Sequence, residues 1–293
     1  MVQKSNNTTN TKQKIMKLNY YLKLLLGAMI LVVLYFLYDF VFTDGVTLTI
    51  TNILWGLVSN IFVVAILSFY VSHATLRGLR LSFSVFALYF IIGHFNILIE
   101  AYIFNVTDRA ETVKQILQGL ITATVFSPII VYIFNKWDGQ TALLKFENRS
   151  IIGWVWRVIL GVFLYIVFYL VAGMILQAAY PGLMDFYKDK LPPLDLMLLT
   201  QFPRGFLFVV IAILILRTSR LKLIKRAVLV GLVFSILGGI APLIPPNELM
   251  PNDIRLVHGF EVGISNFLYG LVLGYLLGQK TKNEKPITTN NTK

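Results

Sequence analysis

Residues 195–216 read DLMLLTQFPRGFLFVVIAILIL and are followed by Arg217. The run from Gly205 to Leu216 is apolar throughout but holds only 12 residues. A helix needs about 20 residues to cross the roughly 30 Å of bilayer hydrocarbon. The crossing segment must therefore reach back over Gln201, Pro203 and Arg204. Arginine stays charged, so a guanidinium is placed inside the apolar layer, where it needs an anion or a water-filled cavity. This one stretch sets the fold class and points to a polar site within it.

The composition agrees. Hydrophobic residues make up 57% of the 293-residue chain, charged residues 14%, and mean hydropathy is +0.73. A soluble domain carries about 25% charged residues to cover its surface. The chain contains no cysteine, which excludes disulfides, thiolate metal sites, iron–sulfur ligation and cysteine nucleophiles.

Seven further stretches are long and apolar enough to cross: 19–43, 46–72, 81–105, 113–135, 151–178, 227–246 and 256–278. The expectation is an all-α integral membrane protein of eight helices, spanning 19–278, between polar flexible tails at 1–18 and 279–293. A β-barrel would need short alternating segments instead. Span 1 follows a basic tail, as a signal peptide does. Its apolar run is too long, however, and no small-residue cleavage site follows Phe42.

Orientation follows from lysine and arginine. With the N-terminus in the cytoplasm, 20 of the 26 basic residues fall on the cytoplasmic side. The six on the outer side are Arg109, Lys114, Lys188, Lys190, Arg204 and Arg255. Both termini are then cytoplasmic, in a cell inner membrane. The net charge of +12 is explained by this topology. The inner loops are too short for a nucleic-acid-binding domain, and the expected partner is membrane lipid.

Matching Gly93 of span 3 to Gly239 of span 7 brings Arg80 onto Arg226 and Asn96 onto Pro242. Gly119 of span 4 then roughly meets Gly263 of span 8. This predicts a 4+4 pseudo-repeat, parallel because four spans per half preserve direction.

Polar residues concentrate in the outer half. Span 3 reads FIIGHFNILIEAYIF and carries His94, Asn96 and Glu100. Asn96 and Glu100 are four apart and share a face. Span 8 presents Arg255, His258, Glu261 and Ser265 on one side, with Asn266 following. Its glycines at 259, 263, 270 and 274 form a stripe suited to close helix packing. Pro242, Pro245 and Pro246 should break span 7 at the same depth. Span 2 adds Asn52, Ser59 and Asn60, and span 4 adds Gln118.

His94, Asn96, Glu100, Arg204, His258, Glu261 and Asn266 are therefore the candidate binding residues, and the expected function is binding or transport of a small polar, anionic or lipid-like molecule. Glu261 is the expected counter-charge of Arg204, since the glycine stripe draws span 8 inward. The alternative function is an intramembrane enzyme, with a metal-dependent hydrolase as one form. No H-E-x-x-H is present, and His94 and Glu100 diverge by about 240° on an ideal helix. Phe90-x-x-x-His94 has the form of one motif of the CAAX-protease-like intramembrane family. The E-E-x-x-x-R of that family is absent, and Asn266 follows His258 by eight residues rather than four, so the family is not assigned.

Overall fold

The computed structural model describes residues 2–42, 49–104, 108–142, 149–180, 182, 191–246 and 250–279, with side chains from Asn19 onward. Among the described residues, eight long helices follow one another: α1 (Val2–Phe42), α2 (Ile50–His73), α3 (Gly78–Ile103), α4 (Arg109–Ile133), α5 (Ile151–Ala179), α6 (Leu194–Thr218), α7 (Leu223–Leu243) and α8 (Asn252–Gly278). Each is long and apolar enough to cross a membrane, α1 through its part Asn19–Phe42. The described residues form no strand beyond one isolated bridge. The helices also expose large apolar side chains, such as Phe40, Phe83, Ile159, Met174 and Phe260. Such surfaces fit lipid rather than water, and the fold is that of a helical multi-pass membrane protein.

Local chemistry starts several of the helices. Thr49, Asp108 and Ser150 each cap an N-terminus by accepting a backbone N–H, from Asn52, Ala110 and Gly153 respectively. That contact satisfies a donor left over by the first turn. Helix α1 begins at Val2 and so takes in residues 2–18 ahead of its apolar part. The predicted C-terminal tail lies outside the described residues beyond Gln279.

Two helices are not uniform. In α3, residues Ala87–Phe95 are π-helical, and in α7, residues Ile236–Ile240 are. The wide turns close where Asn96 N–H donates to Ile91 O and Ala241 N–H donates to Ile236 O. Inserted π-turns of this kind cluster at functional sites. The prolines do not break α7 at Pro242 as expected. The helix runs through it to Leu243 and leaves helical geometry only before Pro245 and Pro246.

A spacing of 145 residues recurs. His73 and Thr218 end α2 and α6, Gly78 and Leu223 begin α3 and α7, Phe95 and Ile240 end the π-turns, and Ile133 and Gly278 end α4 and α8. Packing recurs too, since α1 touches α2 and α4 as α5 touches α6 and α8. The helices α3 and α7 cross at two glycines. A Cβ on Gly93 would stand 3.7 Å from Leu237 O, and one on Gly238 would stand 3.8 Å from Ile92 O. The crossing thus sets Gly93 opposite Leu237 and Gly238 opposite Ile92, one residue from the Gly239 read off the sequence.

The loops around 74–78, 134–142 and 218–222 meet at one end of the bundle, the near end. Ala74 and Ser219 form an antiparallel bridge there. The core runs up from this end through Tyr70, Phe126, Phe208, Phe234 and Tyr269. Two of its tyrosine hydroxyls are satisfied: Tyr70 with Thr218 Oγ1 at 2.7 Å, and Tyr269 on Gly161 O at 3.1 Å. The polar residues of interest lie towards the other, far end.

Candidate functional site

Arg204 sits one turn after Gln201 on α6 and faces α3 and α5. It is 8% exposed, and Gln201 is fully buried. Its Nε donates to Asn96 O at 3.1 Å, and its Nη1 donates to Gln201 Oε1 at 2.8 Å. The same Nη1 pairs with Glu100 Oε2. Tyr169 of α5 donates to Glu100 Oε1 at 2.9 Å. The guanidinium also lies 5.8 Å from the Tyr165 ring centroid, within cation–π range.

The intramembrane position inferred for Arg204 therefore comes with an anion, but the anion is Glu100. The expected partner, Glu261, instead lies 3.2 Å from His258 Nδ1 on its own helix. The physical reason is the packing of α6 against α3. Asn96 and Glu100 follow the π-turn on one face, and α6 meets that face directly.

Asn96 is the anomalous member. It is 1% exposed, and neither its Oδ1 nor its Nδ2 has a hydrogen-bond partner. Its backbone carbonyl serves Arg204 while its side-chain amide stays unsatisfied. An unpaired buried polar group costs about 1–3 kcal/mol. The adjoining Glu100 carboxylate keeps 24% of its side-chain surface open.

The other candidates separate from this cluster. His94 lies against α4, packed tightly on Gly119. Its Nε2 is 3.2 Å from Tyr35 OH, which is 2.7 Å from Tyr89 OH. The π-turn does not bring His94 and Glu100 together. Asn266 serves the backbone of α7, where its Nδ2 donates to Gly238 O at 3.0 Å. Pro242 carries no N–H to offer that carbonyl. Ser59 similarly donates to Ala241 O at 2.7 Å, where Pro245 lacks the donor. Arg255 Nη1 takes the carbonyls of Leu243, Ile244 and Pro245 at 2.8, 2.6 and 2.6 Å. Three polar residues on other helices thus hold the end of α7 together.

Sequence reasoning missed Tyr165, Tyr169 and Asp39. The tyrosines are four apart on span 5, a helical spacing that places both on one face. Asp39 accepts from Gln118 Nε2 at 2.6 Å, an acid–amide pair between α1 and α4. Among the described residues no group of three His, Asp or Glu side chains converges in a way that would hold a metal ion. The chain matches no protein-family model, no curated protein and no solved structure.

Proposed function

We propose that the chain is an inner-membrane protein with both termini cytoplasmic. In this reading it is two parallel four-helix halves, α1–α4 and α5–α8. The Asn96–Glu100–Arg204 cluster between them binds or transports a small polar or lipid-like molecule. The 145-residue spacing and the recurring contacts support the two halves. Transporters built from repeats hold substrate at the repeat interface, and this cluster joins α3 of one half to α5 and α6 of the other.

The observation that carries the reading is the unsatisfied Asn96 amide beside a neutralised ion pair. Since Glu100 already balances Arg204, the bound molecule needs no net negative charge. An amide or hydroxyl group, offering a donor and an acceptor together, complements Asn96. The test is native mass spectrometry of the purified protein and an Asn96→Leu variant. A retained small molecule or lipid, lost in the variant, is the expected result. Equal spectra would count against the site.

An intramembrane enzyme is the second reading, favoured by the 3.2 Å His258–Glu261 contact. A carboxylate beside an imidazole is a general-base arrangement. On that reading His258→Asn abolishes turnover of the retained molecule without releasing it.

A further inference from the structure

At the near end, three loops are tied by their main chains. Thr75 N–H donates to Thr218 O at 2.7 Å, and Arg220 N–H donates to His73 O at 3.0 Å. Gly78 N–H donates to Lys136 O at 3.0 Å, and Ala142 N–H donates to Thr75 O at 3.1 Å. Arg77 N–H donates to Thr141 Oγ1 at 3.2 Å. These bonds fix the backbones of Arg77, Lys136 and Arg220 in one platform, although the residues come from three separate loops.

Like charges held together destabilise each other unless an anion is present. None of the three has a carboxylate within ion-pair distance among the described residues. Asp138, two residues from Lys136, forms no ion pair with them. Arg77 and Lys136 are half-buried, so solvent screens them only in part. Arg220 spends one Nη2 hydrogen bond on Ser72 O at 3.0 Å, which leaves its charge unmatched. Burial, then Arg77, then Arg220 lower the Lys136 pKa from its ordinary value. Among the described residues the cluster thus has no counter-charge of its own.

We propose that Arg77, Lys136 and Arg220 form a binding site for a phosphate group, distinct from the Asn96 cluster and independent of it. Phosphate oxygens accept charge-assisted hydrogen bonds from guanidinium and ammonium donors. A cationic platform at the end of membrane helices also meets the headgroups of anionic lipids. The group is supplied by an anionic phospholipid or by free phosphate, and the experiment separates the two.

The full-length protein and two triple variants would be purified in detergent: Arg77→Gln/Lys136→Gln/Arg220→Gln, and a control, Arg80→Gln/Lys222→Gln/Lys225→Gln, with the same charge loss. In the first arm phosphatidylglycerol is added, and its retention is read by native mass spectrometry. In the second arm inorganic phosphate is titrated against the emission of Trp137, beside Lys136, with Trp137→Phe assigning the signal. Each lost charge-assisted hydrogen bond should weaken binding about tenfold or more, so the site variant should bind at least about a hundredfold more weakly than the control. Loss of retained lipid in the site variant alone identifies a lipid headgroup. A saturable phosphate response without lipid retention, lost in the site variant alone, identifies free phosphate. Equal losses in both variants, or no binding by the native protein, would overturn the proposal. If the triple variant is not recovered folded, the single Lys136→Gln change is read in the same way.

Discussion

Ser59 and Arg204 each donate a hydrogen bond to a main-chain carbonyl of another helix. Ser59 donates to the carbonyl of Ala241 at 2.7 Å, and Arg204 donates to that of Asn96 at 3.1 Å. Donor is separated from donor, and acceptor from acceptor, by 145 residues. Each contact follows a π-turn. A serine hydroxyl is enough to satisfy a carbonyl at such a turn. Arginine adds a charge that must be neutralised, at the cost of desolvating both it and Glu100. The excess polarity on one side is what packing alone does not require, and it supports the proposed site there.

The Arg204–Glu100 pair should behave as a coupled unit. Arg204→Met and Glu100→Gln should each destabilise by about 3–5 kcal/mol, because each leaves a buried partner unpaired. The double variant should recover part of the loss in a double-mutant cycle. Arg204→Met with Glu261→Gln should be additive. Unfolding in mixed detergent micelles measures both cycles.

Asn266 and Pro242 should also be coupled. Asn266→Leu strands the Gly238 carbonyl and should cost about 1–3 kcal/mol. Pro242→Ala provides an N–H one turn above that carbonyl, so the Asn266→Leu penalty should shrink in its background. An unchanged penalty would show that Asn266 acts elsewhere.

The α8 glycines should tolerate nothing larger where they meet α7. A Cβ on Gly270 would stand 2.7 Å from Gly231 Cα, and one on Gly274 would stand 2.7 Å from Ala227 Cα. Backbone cannot yield as a side-chain tip can. Gly270→Val and Gly274→Val should cut folded yield sharply. Gly173→Ala, facing open space, should not, and size-exclusion profiles make the comparison.

The placement of Arg204 within the apolar helix Leu194–Thr218 is readable in the sequence because it depends on one dimension only, the length of an apolar run. Its partner is not. Choosing between Glu100 and Glu261 requires knowing which faces of α3 and α8 turn toward α6. Ideal helix arithmetic also fails across Ala87–Phe95, since each π-turn inserts an extra residue and rotates all that follows. Asn96 and Glu100 keep their shared face because both lie beyond the distortion. Asn266 resembles a ligand donor because a proline's missing N–H is visible in sequence, whereas the residue that compensates for it is not. Tyr165 and Tyr169 carry little signal because tyrosine is common at membrane interfaces. The small-residue stripe on α8 is legible, since close packing leaves a periodic signature.

The proposed orientation predicts that reporter fusions after Lys136 and after Lys280 lie in the cytoplasm. Fusions within 182–192 should lie outside. A C-terminal fusion reporting outside would reject the eight-span arrangement.

Asn96 decides between a binding site and structural glue. As glue, its amide would stabilise the empty bundle, and Asn96→Leu would destabilise it. As a binding residue, the amide is an unsatisfied cost in the empty protein, and an apolar side chain of similar size relieves it. The direct measurement is thermal stability in detergent, with native mass spectrometry of the same samples. We expect delipidated Asn96→Leu to melt at or above the temperature of the native protein while losing the bound molecule that the native protein retains. A lower melting temperature in the variant, with no bound molecule in either protein, would contradict the account.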